Sequence, residues 1–249
     1  MSVAETRAAP PALLPSAGSR PPTTVDGSRG GVTITSGVNS LRIGARAQFR
    51  WTTDWKEAID EDADGVGAGI EDGALSQFDI PSMGVTLSGG VYRPWLRYEF
   101  QFDFSRTGGE GASKIKDMIL EIRPTGGNYR IAAGQFKAPF GLQTLVSSAR
   151  LQFVDRALTH GKFNPGREMG VIAGGTFLDR RIGIDGGVFN GSGESARQDN
   201  GSHLWVGRAY VQPLGAFALA EGGSDGGAPL LHIAAGVRGG KGIRGRGAP

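Results

Sequence analysis

The chain has 249 residues, of which 43 are glycine, 12 are phenylalanine and none is cysteine. The lack of cysteine excludes disulfide frameworks, thiol nucleophiles and cysteine-ligated zinc, and no run reaches the roughly 18 apolar residues of a membrane helix. The formal net charge of +3 conceals a segregation, because residues 54–72 hold eight acids and one lysine and leave the rest of the chain, with 26 basic and 16 acidic residues, at +10.

The first 36 residues are rich in proline, alanine, serine and glycine and show no period. Such a composition is typical of disorder, so residues 1–36 are predicted to be a disordered lead. A secretory signal peptide is not visible in it, because no basic leader precedes a continuous apolar stretch.

A clear strand follows in LRIGARAQFRW, residues 41–51. Every second residue from Leu41 to Trp51 is apolar, and Arg42, Arg46 and Arg50 lie on the other face. A period of two indicates a strand with one apolar and one polar face. Further candidate strands cover residues 76–91, 96–105, 114–123, 129–137, 168–178, 181–189, 203–212 and 230–238. No segment shows a sustained helical period with caps.

The connections between these candidates alternate between long and short, as in up-and-down membrane barrels, which carry loops at one rim and tight turns at the other. A soluble sandwich would also alternate along its strands. Aromatic residues at the ends of the apolar rows, such as Phe49 with Trp51, favour the membrane barrel because interfacial girdles are aromatic. The sequence therefore predicts an all-β, antiparallel fold, with a barrel preferred over a sandwich.

The stretch around residues 130–175 carries a recognisable motif. Its residues are Gly134, Phe136, Lys137, Pro139, Phe140, Gly141, Ser147, Ser148, Phe153, Arg156, Gly166, Arg167, Gly170 and Val171, followed by GVFNGSG at 187–193. In this order and spacing the chain resembles the phosphate-selective porins of Gram-negative outer membranes over roughly residues 40–215.

The resemblance implies a 16-stranded, trimeric, transmembrane β-barrel in contact with outer-membrane lipid and lipopolysaccharide. It also implies that the third long connection, residues 138–166, folds inward as a basic constriction. Only eight or nine strands can be counted, and the chain ends in KGIRGRGAP. Residues 37–240 are therefore expected to form an incomplete barrel of about 8–10 strands, the N-terminal portion of a porin, followed by a disordered basic tail at 241–249.

With the apolar row facing lipid, the three arginines of the opening strand would form a ladder along a wet lumen. Arginine stays charged and binds phosphate oxygens bidentately, and rings of basic residues select anions. The predicted anion-binding residues are Arg42, Arg46, Arg50, Lys137, Ser147, Ser148, Arg150, Arg156, Lys162 and Arg167. For Arg150, Arg156, Lys162 and Arg167, solvation or pairing with Asp155 and Glu168 stays open as an alternative.

A second motif lies in the acidic stretch. Asp60, Asp62, Asp64, Gly65 and Glu71 match the spacing of a calcium-binding loop. No amphipathic helices flank it, so an EF-hand is not expected. The prediction is a calcium contact of Asp60, Asp62, Asp64 and Glu71, or one that bridges lipopolysaccharide.

Signatures of catalysis are absent from the sequence: it has no nucleophile elbow, no dinucleotide fingerprint, and three histidines without partners at recognisable spacing. The predicted function is a passive channel for anions without catalysis, cofactor or nucleic-acid partner, and a preference for phosphate rests on the resemblance. The alternative is a soluble basic β-protein that binds nucleic acid or another polyanion, supported by a pI of 9.4. Against it, the aromatic residues lie on the apolar face and could not stack on bases beside the arginines.

Overall fold

A computed structural model describes residues 21–28, 30–56, 73–105, 114–124, 126–147, 151–153, 156–157, 160, 163–196, 201–219, 227 and 229–240. The strands are β1 (Thr23–Asp26), β2 (Val32–Ser36), β3 (Asn39–Lys56), β4 (Gly73–Gly90), β5 (Leu96–Asp103), β6 (Lys114–Ile122), β7 (Tyr129–Lys137), β8 (Arg167–Phe177), β9 (Ile182–Phe189), β10 (Leu204–Val211) and β11 (Ile233–Gly239). A single turn of helix, α1 (Leu142–Leu145), follows β7. No helix in these described ranges is long and apolar enough to cross a membrane.

Each strand pairs with its neighbours in the chain, so that the order from β1 to β11 is also the order in one antiparallel sheet. The predicted all-β, up-and-down architecture is confirmed. Among the described residues the sheet is open and has eleven strands, and a count of 16 is not shown.

The nine candidate strands of the sequence correspond to β3–β11. Two more strands, β1 and β2, lie within residues 1–36, where composition predicts disorder. Both are short and rich in threonine and valine or isoleucine, residues that favour strands, and β2 extends the sheet by pairing with β3. Residues 1–20 of the predicted lead and the predicted tail at 241–249 lie outside the described residues.

The two faces of the sheet differ in polarity, as the period of two requires. One cross-strand row is apolar and passes from Val32 through Ile43, Leu87 and Phe100 to Met118. Large apolar side chains on this face, such as those of Phe78 (72% exposed) and Trp205 (62%), are exposed. Exposed apolar area on this scale marks a surface that contacts something other than water.

The buried core lies on the opposite face. It is formed by Ala132, Phe136, Ala138, Ile172, Phe189, Leu204 and Val206, with Ile119 and Phe140 packed against it. Residues Ala138 and Phe140 come from the connection after β7, so this segment covers the inner face of β7–β10.

Connections differ in length between the two ends of the sheet. At the end that we call the turn end, β2–β3, β4–β5, β6–β7 and β8–β9 are joined by two to six residues. At the loop end, the connections after β3, β5, β7 and β9 are longer. The connection between β10 and β11, residues 212–232, is an exception because it is long and lies at the turn end.

Candidate functional site

A cavity of about 910 Å³ lies against the inner face of the sheet. Side chains from eight consecutive strands, β3–β10, line it together with the segment after β7, so the sheet curves around this space. Among the residues that the structure describes, ten arginine and lysine side chains and four carboxylates line it, an excess of six positive charges. The cavity is therefore a positively charged space in which anions are concentrated.

Arg46 joins the wall of the cavity to the segment after β7. Its guanidinium donates to the hydroxyl of Ser82 on β4 at 3.0 Å and to that of Ser147 at 3.4 Å. Two predicted anion-binding residues, Arg46 and Ser147, are thus brought together although 101 positions separate them. Both partners are neutral hydroxyls, so these contacts hold the guanidinium in place without cancelling its charge.

The other two arginines of β3 differ from Arg46. Arg50 lines the cavity but lies 3.5 Å from a carboxylate oxygen of Asp79 on β4. A β-bulge between Gln48 and Arg50 shifts the register here and places Asp79 opposite Arg50. Arg42 is exposed and lies outside the cavity lining.

Backbone carbonyls hold two further cations of the predicted set. Lys137 donates to the carbonyl oxygen of Val146 at 3.3 Å. Arg156 donates to the same oxygen at 3.1 Å and to that of Gln143 at 2.9 Å. Both side chains line the cavity, and the carbonyl oxygen of Val146 that they share holds them next to each other.

Arg167 is paired more strongly than the sequence analysis anticipates. Its guanidinium makes two hydrogen bonds to the carboxylate of Asp117 on β6, at 3.0 and 2.8 Å, and a third contact to Gln101 at 3.3 Å. The open alternative for the connection named Asp155 and Glu168 as pairing residues. The observed partner is Asp117, whereas the carboxylate of Glu168 accepts the backbone N–H groups of Gly191 and Gly193.

The remaining predicted site residues lie outside the described residues. These are Ser148, Arg150 and Lys162 of the connection, and the calcium set Asp60, Asp62, Asp64 and Glu71. Elsewhere, in the described part of the chain, no group of three or more histidine and acidic side chains is placed to hold a metal ion.

A second charged row was not identified in the sequence. Arg130 on β7 donates to Asp185 on β9 at 2.9 Å, and Arg208 on β10 stands opposite Asp185 in the register. All three residues line the cavity. Each occupies the polar face of its strand, so the period of two could have indicated the face, but only the pairing of β7–β10 brings them into one row.

His160 lies in the described part of the connection after β7, near the positive charges of Arg156 and Lys137. Burial lowers its pKa, and the positive charges of Arg156 and Lys137 lower it further. The imidazole is therefore neutral at pH 7 and adds no further charge.

Two comparisons with known proteins complete the description. A family model described as phosphate-selective porin O and P matches residues 58–225, more than half of the chain. No curated protein matches the chain. The matched range contains β4–β10 and the whole connection after β7.

Proposed function

We propose that this chain, which belongs to the phosphate-selective porin O and P family, forms a water-filled channel for the passive diffusion of anions across an outer membrane. The family membership confirms the resemblance carried by the motif around Lys137. A channel lowers no chemical barrier, and we propose neither catalysis nor a cofactor for it. Phosphate is the proposed substrate because of the family, and other small anions would share the path.

The positive cavity is the observation that carries this proposal. Anion passage needs several weak basic sites rather than one tight site. Arg46, Lys137 and Arg156 supply such a series. The described hydrogen bonds of Arg46 and Lys137 go to hydroxyl and carbonyl oxygens. These acceptors orient the cations and leave their charge available to an anion.

The exposed apolar face supports placement in a membrane. Phe78, Trp51 and Phe49 form one aromatic cluster on this face, with ring centroids 5.4 Å apart for Phe49 and Phe78 and 6.5 Å for Trp51 and Phe78. Aromatic clusters of this kind form the interfacial girdles of membrane barrels. We propose lipid and lipopolysaccharide as the neighbours of this face, and a homotrimer as the assembly of the full-length protein.

The polyanion-binding alternative receives less support from the same geometry. A protein that binds single-stranded nucleic acid stacks bases on aromatic rings beside its cations. Here the aromatic cluster of Phe49, Trp51 and Phe78 is exposed on the face opposite the cavity that Arg46 and Arg50 line.

The test is the reversal potential of the reconstituted chain in a planar bilayer under a salt gradient. We expect a sign that reports anion preference, and a smaller magnitude when Arg42, Arg46 and Arg50 are all replaced by glutamine. As a control, Arg93→Gln removes a charge at the β4–β5 turn, outside the cavity lining, and should leave the potential unchanged. Cation preference of the unmodified chain would overturn the proposal.

A further inference from the structure

The long connection at the turn end, residues 212–232, is the starting point. The other connections described at this end have two to six residues, enough only to reverse the chain. A connection of 21 residues has length for another role. Its described parts are residues 212–219, 227 and 229–232.

The first part of this connection folds over the cavity. Gln212 is only 3% exposed, and its side-chain amide donates to the carbonyl oxygen of Phe217 and accepts from the N–H of the same residue, both at 3.2 Å. This pair of hydrogen bonds closes a compact loop. Phe217 and Leu219 then line the cavity with apolar side chains.

His232 holds the last part of the connection against the same place. Arg208 on β10, itself 6% exposed, lies with a guanidinium nitrogen 2.7 Å from Nε2 of His232. The imidazole also contacts Tyr210 and Phe217, at ring-centroid distances of 5.2 and 6.3 Å. His232 therefore joins the strand wall to the loop formed by residues 212–217.

This contact requires a neutral imidazole. A guanidinium has only donors, so Nε2 of His232 must accept and the ring proton lies on Nδ1. There it faces a second donor, the side-chain amide nitrogen of Gln212, at 3.2 Å. Protonation places an N–H on both nitrogens. The acceptor is then lost, and two positive groups face each other at hydrogen-bond distance.

Nearby charges do not relieve that repulsion. Arg208 and Tyr210 from β10 contact the imidazole directly. Asp185 from β9 and Arg130 from β7 act on Arg208, Arg180 from the β8–β9 turn lines the same cavity, and the neighbouring Arg181 accepts a hydrogen bond from the backbone of Gln212 through its carbonyl oxygen. The one carboxylate of this set, Asp185, already accepts from Arg130 at 2.9 Å. In accord with this, burial and the charge of Arg208 lower the pKa of His232.

We propose that the described ends of the 212–232 connection form a second constriction of the cavity, held closed by the hydrogen bond from Arg208 to neutral His232 and loosened by acid. The inference rests on the proposed channel function. Because the His232 pKa is lower in the packed state, the packing is fully stable above the ordinary histidine pKa and weakens as the pH falls through it. Acid thus widens the path at the turn end.

The test combines single-channel conductance with hydrogen exchange of peptides that contain residues 212–219, between about pH 7.5 and about pH 5. For the detergent-folded chain we expect conductance to rise in acid. We also expect these amides to exchange about tenfold faster, after correction for the intrinsic pH effect, because a hydrogen bond to a charged group is lost. His232→Gln keeps an acceptor for Arg208 but does not titrate. In this variant neither conductance nor amide exchange should respond to acid, because the connection stays packed at both pH values. His232→Ala should show the acid behaviour at neutral pH.

The matched control is His160→Gln, which removes the histidine of the connection after β7 and should retain both responses. A pH response that persists in His232→Gln overturns the inference, as does exchange in the unmodified chain that does not change with pH. If amide exchange becomes faster in acid while conductance stays constant, the proposal that this connection constricts the path is overturned. Cation preference or absence of channels would instead contradict the proposed function, and the exchange experiment would still report whether His232 holds the connection.

Discussion

Arg46 and Arg50 illustrate how much the partner of a charged residue matters. Both lie on the polar face of β3 and both line the cavity. Arg46 donates to two hydroxyl groups, whereas Arg50 lies 3.5 Å from the carboxylate of Asp79. A charge held by hydroxyls acts on a passing ion in full, and a charge beside a carboxylate acts largely as a dipole. Arg46 is thus expected to contribute more to ion selectivity.

We predict that Arg46→Gln lowers the ratio of anion to cation permeability by about sevenfold, because a unit charge about 7 Å away in water attracts an anion and repels a cation by about 0.6 kcal/mol each. The double substitution Arg50→Gln with Asp79→Asn is the matched control on β3 and β4, and it should change the ratio less because it removes two charges of opposite sign that largely cancel. Bi-ionic reversal potentials of the two variants measure the ratio. An equal effect in both variants would contradict the assignment.

The alternation of residues 41–51 was sufficient to place Arg46 and Arg50 on one face, because the period of two is a local property. Their partners could not be predicted in the same way. Asp79 reaches Arg50 only through the β-bulge between Gln48 and Arg50, and Ser147 reaches Arg46 through the path of the connection after β7. Contacts of this kind depend on how distant strands are arranged, which a single sequence does not reveal.

At the scale of the elements, the connection after β7 packs against the sheet through the ring of Phe140, which lies over Gly236 on β11. Phe140 packs against the core, and its ring lies where a Cβ at Gly236 on β11 would be 3.2 Å from it. The guanidinium of Arg238 lies 5.5 Å from the centroid of the same ring. This contact positions the segment that carries Ser147 and the carbonyl oxygens that bind Lys137 and Arg156.

We predict that Gly236→Val displaces Phe140 and with it the connection, so that conductance rises and anion preference falls. Forcing extra methyl groups into a packed contact costs about 1–3 kcal/mol. Gly239→Val is the control on the same strand, because nothing lies within 4 Å of the position where its Cβ would be. Both properties can be measured in planar bilayers. Similar currents from the two variants would show that Gly236 does not seat the connection.

The strands β3 and β5 could be predicted because apolar and polar residues alternate in them over eight or more positions. The other strands up to β11 show a less regular alternation. The strands β1 and β2 were missed because four or five residues are too few to establish a period within a stretch rich in proline and glycine.

The structure gives a physical reason why position 134 of the motif is a glycine, which the sequence alone does not reveal. Its φ is +132°, and a Cβ there would collide with the carbonyl oxygen of Met118.

At the scale of the whole molecule, the sheet separates a charged inner face from an apolar outer face. Ile184 on β9 is 54% exposed on the outer face, and the next residue, Asp185, lines the cavity. In a water-soluble sheet the exposed face would contact water, and a charge would be tolerated there. In a membrane the same face contacts hydrocarbon, so a single substitution can distinguish the two environments.

We predict that Ile184→Arg lowers the free energy of unfolding in lipid bilayers by about 2–4 kcal/mol, the cost of an arginine near the membrane midplane. An exposed residue of a soluble protein would change it by about 0.5 kcal/mol or less. Leu178→Arg is the control, because Leu178 is also apolar and exposed but lies in the β8–β9 turn. Reversible urea unfolding in bilayers provides the measurement, and equal stability of both variants would contradict a lipid-facing outer surface.

The contact between Phe140 and Gly236 also bears on the order of events during folding. Phe140 follows β7, yet its seat is on β11, and β8, β9 and β10 must be paired before that seat exists. Sheet assembly should therefore precede docking of the segment, and a fluorescent probe on the segment would report a slower kinetic phase than the appearance of β-structure.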